Sequence, residues 1–173
     1  MMHVEDLMRQ MTRLLKQPTL YELVLHQGER MELAQLTRME ARYAVELIRT
    51  CGGFRRFQPR MCFMNAQRLA VRNLEFRRNP SVAVHYCEGY IAFEDHCICP
   101  IAHAWLTING KVLDVTLRAM SKTTRHTYYG MKIPVRMVLK HHDRAQEYSP
   151  VIEGPLQNKL FTRKVIEQVC KSR

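Results

Sequence analysis

The sequence has no apolar run that approaches the ~18 residues a membrane-spanning helix requires. The amino-terminal stretch MMHVEDLMRQM carries acidic residues and lacks a long apolar segment, which argues against a secretory signal peptide. Internal repeats, low-complexity tracts and linker-like segments are also missing, so nothing in the sequence divides the chain. These absences predict a single cytoplasmic domain with no membrane partner.

Acidic residues are few, with 16 Asp and Glu against 27 Lys and Arg and a formal net charge of +11. Residues 118–173 hold 12 Lys and Arg against 4 Asp and Glu, so +8 of this charge lies in the last third. Such a field favours acidic partners, namely nucleic acid, an acidic protein or an anionic substrate. No recognised nucleic-acid-binding motif accompanies the charge, so nucleic acid is not favoured, and a solubilising surface is the simpler alternative.

The six cysteines have neither a secretory signal nor a CxxC spacing beside them, so we interpret them as reduced thiols. A chain of this length can bury roughly 70% of its unfolded surface and needs no disulfide or metal to fold. A zinc site is the alternative, although the C-x-C and C-x3-H spacings differ from those of zinc knuckles. We therefore predict neither metal nor cofactor. The residues of this alternative site are His85, Cys87, His96, Cys97, Cys99 and His103.

Apolar residues recur at helical spacing over residues 4–16, over about 31–50 and again from Cys62 to the residues before Arg77. A fourth helical pattern, NKLFTRKVIEQVCK, lies near the carboxyl end, while YELVLHQGER between the first two patterns is ambiguous between helix and strand. The pattern that starts at Cys62 places four further residues on the same side of the helix. These residues are Ala66, Leu69, Ala70 and Asn73.

Residues with high strand propensity follow in three runs, SVAVHYCEGYIAF, IAHAWLTI and KVLDVTL, and TYYGMKIPVRMVL also looks extended. Asn109-Gly110 between the second and third runs predicts a hairpin with a type I′ turn. We therefore predict an α+β fold in which one helix packs on an antiparallel sheet. The expected parts are a helical 1–53, a core at 54–117, and a basic 118–173 that extends the sheet and ends in a helix.

The predicted hairpin also brings an imidazole and a carboxylate together. A two-residue turn pairs Ile108 with Lys111, and the register continued along both strands sets Trp105 opposite Asp114 and His103 opposite Thr116. Because side chains alternate between the faces of a sheet, His103, Trp105 and Asp114 should share one face. His103 and Asp114 are then diagonal neighbours, with their Cβ atoms ~7–8 Å apart or somewhat less. An imidazole and a carboxylate can form a hydrogen bond across that separation.

Cys62, His103 and Asp114 together have the residue types of a cysteine nucleophile with its base and orienting group. A cysteine attacks as the thiolate, and both a helix amino terminus and a neighbouring imidazolium favour that form. His103 would take the thiol proton and return it to the leaving group, while Asp114 fixes the ring tautomer. The backbone N–H of Cys62 is a candidate oxyanion donor. Gln58 is the candidate for a second donor, with a solvated loop residue as the alternative.

Residues 62–117 resemble the core of the transglutaminase-like superfamily of cysteine enzymes, within the wider papain-like group. In that core a cysteine heads a helix, and three antiparallel strands follow, the second with a His-Ala-Trp-like sequence and the third with an Asp. The preceding Pro59-Arg60-Met61 departs from the family, which usually has Gly or Trp before the cysteine. The matching runs are CFMNAQRLA, VHYCEGYIAF and PIAHAWLTINGKVLDVTL.

The resemblance implies roles for single residues. Cys62 would be the nucleophile, His103 the general base and acid, and Asp114 the orienting carboxylate. Gly89-Tyr90 would lie on the strand beside the site, and Trp105 would pack near it. A further substrate-groove candidate, Glu88, would polarise or select the substrate; a paired or solvated carboxylate is the alternative.

These residues predict a cysteine-dependent acyl-transfer enzyme that cleaves or exchanges an amide bond through a thioester. A peptidase, deamidase or amidase is favoured over a cross-linking transglutaminase, and the expected substrate is a protein or peptide, with acidic ones favoured by the charge. The alternative is a catalytically inactive transglutaminase-like fold that serves as a basic binding module for an acidic protein or nucleic acid.

Overall fold

A computed structural model describes residues 3–15, 20–31, 33–76, 81–93, 100–117, 126–145 and 147–152. The described helices are α1 (Val4–Leu15), α2 (Leu20–Gln27), α3 (Arg38–Thr50), α4 (Cys62–Phe76) and α5 (Val135–Ala145), with a short 3-10 turn at Phe54–Arg56. The described strands are β1 (Glu29–Met31), β2 (Val84–Phe93), β3 (Ile101–Ile108), β4 (Lys111–Leu113) and β5 (His126–Ile133). They form one antiparallel sheet in the order β1-β5-β2-β3-β4, which confirms the α+β prediction. None of the described helices is both long and apolar enough to cross a membrane.

Helix α4 packs against β2 and β3, as the sequence predicts for the helix that Cys62 begins. The five side chains predicted to share one side of this helix, Cys62, Ala66, Leu69, Ala70 and Asn73, are all buried. They face a large apolar core that includes Tyr86 and Leu106 of the sheet. The burial of this stripe explains the position of α4 on the sheet, because the hydrophobic effect grows with the apolar area removed from water.

Helix α3 begins at Arg38, so the helix predicted from about residue 31 is wrong at its amino end. Thr37 and Glu40 form a capping box, in which the Glu40 backbone N–H donates to Thr37 Oγ1 at 3.3 Å and the Thr37 N–H donates to Glu40 Oε2 at 2.7 Å. Met31 instead belongs to β1. The Thr37 backbone, followed by Lys111 and Asn109 of the β3–β4 hairpin, lowers the pKa of Glu40 to about 2. This carboxylate therefore joins α3 to the hairpin.

Further elements differ from expectation at both ends of the chain. The ambiguous segment at 21–30 forms most of α2, and β1 adds a strand to the region 1–53 that was predicted to be helical. The run predicted as extended through residue 139 stays extended only to Ile133, where Pro134 precedes α5. Proline at a helix start costs no intrahelical hydrogen bond, so this sequence suits a strand-to-helix junction. The predicted C-terminal helix lies outside the described residues.

The β3–β4 hairpin has the predicted turn. Asn109 and Gly110 have positive φ angles of 50° and 85°, as a type I′ turn requires. The ladder pairs Ile108 with Lys111, then Thr107 with Val112, then Leu106 with Leu113, which confirms the register. The predicted continuation of the pairing to Asp114 and Thr116 is wrong, because β4 ends at Leu113 and the chain then turns.

Strands β2 and β5 approach each other unusually closely where Gly89 pairs with Gly130. A Cβ atom on Gly89 would lie 2.3 Å from the carbonyl oxygen of Tyr129 and 2.4 Å from the Cα of Gly130. Glycine at this position therefore lets the backbones of β2 and β5 meet, and on the other side of β2 Gly89 pairs with His103 of β3.

Replacing Gly89 with alanine should be much more damaging than a glycine replacement in open space. We expect Gly89→Ala to lower the free energy of unfolding by about 3 kcal/mol, because rigid backbone atoms must move to admit the methyl group. Gly110→Ala is the control: its φ is +85° but no atom lies within 4 Å of the added Cβ. That control should cost about 1 kcal/mol through backbone strain alone. Equal costs in urea unfolding experiments would contradict the close approach of β2 and β5.

Candidate functional site

Cys62 is the first residue of α4 and exposes only 9% of its surface. The chain enters the helix through a turn in which the Met61 N–H donates to the Gln58 carbonyl at 3.3 Å. Arg60 within this turn has a φ of 65°, a left-handed conformation that is uncommon outside glycine. The N–H groups of the first helical turn have no carbonyl partner within a helix, so the helix end beside Cys62 carries partial positive charge.

Asn65, which the sequence analysis did not select, fixes this turn against the sheet. Its side chain is fully buried, its Oδ1 accepts the Gln58 N–H at 3.2 Å, and its Nδ2 donates to the Gln58 carbonyl at 2.8 Å. The same Nδ2 lies 2.9 Å from Thr116 Oγ1. A polar amide one turn after Cys62 on an otherwise apolar helix face was the available signal. Asn65 thus sets the position of Cys62 relative to the segment that follows β4.

His103 and Asp114 form a buried pair, with 2.5 Å between Nε2 and Oδ2. The expected contact exists, but it forms from a turn after β4 and not from a continued strand. The backbone N–H groups of Thr116 and Leu117 donate to Asp114 Oδ1 at 2.8 and 3.0 Å, and the Tyr128 hydroxyl donates to Oδ2 at 2.9 Å. Because Asp114 binds Nε2 of His103, the other ring nitrogen, Nδ1, is available to the thiol of Cys62.

The environment of His103 strongly favours the imidazolium ion. Burial is the largest single influence and lowers the pKa of His103, but hydrogen bonds and charge from Asp114 and Cys62 together raise it to about 9. Burial likewise raises the pKa of Asp114, and this effect is outweighed by His103, the Leu117 N–H and Tyr128, so the net direction is downward. The pair is therefore held as imidazolium and carboxylate, which suits proton exchange with a thiol.

Aromatic rings enclose the imidazole. Trp105 lies beside His103, with 6.2 Å between the ring centroids and 18° between the ring planes. The Tyr128 ring lies on the same face of the sheet, with its centroid 6.3 Å from that of His103. The Trp105 and Tyr128 rings meet edge to face at 5.1 Å. Burial, followed by the charge of Asp114, raises the pKa of Tyr128, so its hydroxyl remains a hydrogen-bond donor to the carboxylate. The structure thus places Trp105 next to His103, as expected from the sequence.

The other sequence candidates occupy different positions. Gln58 is exposed at the turn before Cys62, where only its backbone is bonded to Asn65. Gly89 lies opposite His103 at the β2–β5 approach and offers no side chain. Tyr90 is buried in a second apolar cluster with α1 and α2, and its ring lies 4.6 Å from that of Tyr21. Tyr90 therefore anchors the N-terminal helices and does not line the space around His103.

Glu88 does not line an open groove either, because it is 2% exposed and its carboxylate is hydrogen-bonded to other residues of the protein. Its carboxylate accepts the Tyr86 hydroxyl at 2.5 Å and the backbone N–H groups of Val151 and Ile152 at 2.8 and 2.9 Å. Burial, and then the charge of Glu88, raise the pKa of Tyr86, and the charge of Cys62 adds to this shift. Glu88 thus holds residues 151–152, after α5, in place. The charge of Cys62 contributes to the pKa shift of the neighbouring Tyr86, so this point lies within electrostatic range of Cys62.

The alternative zinc site cannot be assembled from the described residues. His96, Cys97 and Cys99 lie outside them, and within the described ranges no group of three or more His, Cys, Asp or Glu side chains is placed to hold a metal. Burial raises the pKa of Cys87, a strand residue in the cluster around Trp105, to about 12. Cys87 thus packs in this cluster as a buried, neutral thiol.

Comparison with known proteins adds no further assignment: no protein family, curated protein or solved structure matches this chain. The candidate site therefore rests on its own geometry.

The stability of the protein should depend on pH through His103. Its pKa rises from 6.5 to about 9 on folding, so its contribution is fully present below pH 6.5 and is lost as the pH rises through about 9. The Asp114 contribution has the opposite sign: it is present above the ordinary pKa of 3.8 and is lost on acidification. We expect the free energy of unfolding to fall between pH 6.5 and 9 in the wild type.

His103→Gln is the matched comparison, because glutamine keeps a polar side chain without a titrating ring. Urea unfolding measured across the same pH range should give a much flatter profile for this variant. Parallel profiles for the two proteins would contradict the raised pKa of His103.

Proposed function

We propose that the chain is a cysteine acyl-transfer enzyme of transglutaminase-like type, with a papain-like core. Cys62 is the nucleophile, His103 the general base and acid, and Asp114 the orienting carboxylate. The observation that supports this most directly is the buried series of interactions that runs from Cys62 through His103 to Asp114. Four hydrogen bonds to the Asp114 carboxylate fix its position, as preorganised proton transfer requires.

In the first half of the reaction the Cys62 sulfur attacks the carbonyl carbon of an amide. Cys62 attacks as the thiolate, with its proton already on the His103 imidazolium, and the carbonyl π electrons move to oxygen to give a tetrahedral oxyanion. The C–N bond then breaks as His103 delivers its proton to the departing amine, which leaves a thioester on Cys62. The N–H groups at the start of α4 are the nearest donors for the oxyanion.

In the second half His103 takes a proton from the acceptor as the acceptor attacks the thioester carbon. Collapse of the second tetrahedral species expels the Cys62 sulfur as the thiolate, beside the imidazolium that His103 has become. Water as acceptor yields a carboxylic acid, and an amine yields a new amide. We favour water, because it is the smallest and most abundant acceptor and Cys62 exposes only 9% of its surface.

Charge on the exposed chain before Cys62 favours an acidic protein or peptide as the substrate. Arg55, Arg56 and Arg60 are all exposed on the chain that leads to Cys62. No Asp or Glu occurs between Glu46 and Glu75 in the sequence. Clustered guanidinium groups attract carboxylates and raise the local concentration of anionic ligands.

Alkylation of Cys62 by iodoacetamide tests the activated thiol. We expect Cys62 to react more than about 10-fold faster than Cys51, whose pKa is raised chiefly by burial, because only the thiolate is nucleophilic. Trypsin separates the two cysteines into TCGGFR and MCFMNAQR, so mass spectrometry reads both rates in one sample. His103→Gln should slow the alkylation of Cys62 and leave the alkylation of Cys51 unchanged. A Cys62 rate that is no faster than that of Cys51 and insensitive to His103 would overturn the proposal.

Turnover of peptide amides tests the reaction itself. When the protein is incubated with a mixture of acidic peptides, mass spectrometry should show that peptide amides are lost. Cys62→Ala should abolish this reaction and retain the fold and the melting temperature. The rate should fall as the pH rises through about 9, because His103 must be protonated to release the amine. If Cys62→Ala leaves turnover unchanged, Cys62 is not the nucleophile.

The candidate oxyanion residue Gln58 can be tested apart from the thiol. Gln58→Ala should lower amide turnover by about 10²-fold, as expected for loss of one oxyanion donor, and should leave Cys62 alkylation unchanged. Alkylation by iodoacetamide forms no oxyanion, so it serves as the matched control. Unchanged turnover would instead identify Gln58 as a solvated loop residue.

A further inference from the structure

A concave site lies away from the thiol of Cys62. An open pocket of about 600 Å³ is lined by the end of α3, the outer side of α4, α5 and Tyr148. On α4 its lining begins only at Gln67 and extends to Glu75, whereas Cys62 stands at the head of the helix. The volume falls within the range of ~300–1,000 Å³ that is common for small-molecule sites.

The polar part of this pocket is predominantly basic. Arg56, Arg68 and Arg72 line it together with a single carboxylate, Glu75, so the three guanidinium charges exceed the carboxylate charge by two. Arg72 forms an ion pair with Glu75, which leaves the excess charge on the other two arginines. A doubly charged anion would neutralise this excess.

Two of the three arginines, Arg68 and Arg72, and the wall beside them are held in place before any ligand binds. The Arg68 guanidinium lies over the Tyr148 ring, 5.2 Å from its centroid, and Arg72 Nε donates to the Thr50 carbonyl at 3.3 Å. Gln67 Nε2 donates to the Ser149 carbonyl at 2.8 Å and so fastens the segment that carries Tyr148. Held positions reduce the side-chain ordering that binding would otherwise cost.

The remainder of the lining is apolar. Val71 on α4 faces Val138 and Leu139 on α5, and the Tyr148 ring adds an aromatic surface beside them. Inorganic anions gain nothing from such a surface, whereas a ligand with an organic body removes it from water. The pocket thus combines a cationic side with an apolar side.

We propose that this pocket binds a small organic phosphate, a phosphate monoester attached to a planar or apolar body. A phosphate monoester carries about −1.5 to −2 charge at neutral pH, which matches the excess positive charge of the lining. Guanidinium groups bind phosphate oxygens through paired hydrogen bonds, and the apolar side chains of the lining remove an organic body from water. The site is independent of the acyl-transfer chemistry proposed for Cys62.

Isothermal titration with adenosine monophosphate, adenosine and inorganic phosphate as probes tests the proposal. We expect the nucleotide to bind at least about 10-fold more tightly than either of the others, since loss of a charge-assisted bond or of apolar contact costs about that factor. Arg56→Gln and Arg68→Gln should each weaken nucleotide binding about 10-fold. Arg42→Gln removes the same charge from an exposed position outside the pocket and should leave binding unchanged.

Cys51 supplies a second readout because it also lines the pocket. Saturating nucleotide should slow alkylation of Cys51 in the peptide TCGGFR and leave the Cys62 rate unchanged. Thermal unfolding of each variant checks that folding is preserved, and Arg56→Gln serves alone if Arg68→Gln does not fold. Equal binding of the nucleotide and inorganic phosphate, equal weakening by Arg42→Gln, or no protection of Cys51 would each overturn the proposal.

Discussion

The carboxylate of Asp114 is the point on which the candidate site depends, because three separate parts of the chain donate hydrogen bonds to it. His103 comes from β3, Tyr128 from β5, and the Thr116 and Leu117 N–H groups from the turn after β4. A buried carboxylate without such donors would be protonated and unable to hold an imidazolium. Strand β4 ends at Leu113, so the chain is free to turn and to bring the Thr116 and Leu117 N–H groups to Asp114. The geometry of the site therefore depends on the shortness of β4.

Buried polar side chains also fix α4, the helix that positions Cys62. Asn65 connects the turn before the helix to Thr116, while Gln67 and Glu88 secure the segment after α5 at residues 149–152. Each buried group is hydrogen-bonded to a residue distant in sequence, which gives these contacts directional specificity that apolar packing lacks. Cys62 is therefore placed both by these hydrogen bonds and by the burial of the apolar side chains of α4.

Sequence reasoning succeeded where short-range signals decide the structure and failed where distant contacts do. The helix that begins at Cys62 and the Asn109-Gly110 hairpin follow from periodicity and turn chemistry, which act within a few residues. The start of α3 was missed because the capping box at Thr37 was overlooked in favour of apolar spacing. Glu88 was assigned to a groove because its donors, Val151 and Ile152, lie more than 60 residues along the chain and leave no local signal.

By itself the sequence determined that a cysteine heads an amphipathic helix and that a histidine and an aspartate flank a tight hairpin. Local hydrogen bonds and side-chain alternation suffice for both features. Only the tertiary structure decided that Cys62 reaches His103, that Asp114 meets the imidazole from a turn, and that arginines of the 3-10 turn and α4 converge on one pocket with α5. These relations depend on how α4 and α5 pack on the sheet, which is set by the burial of their apolar faces and by polar contacts between distant residues.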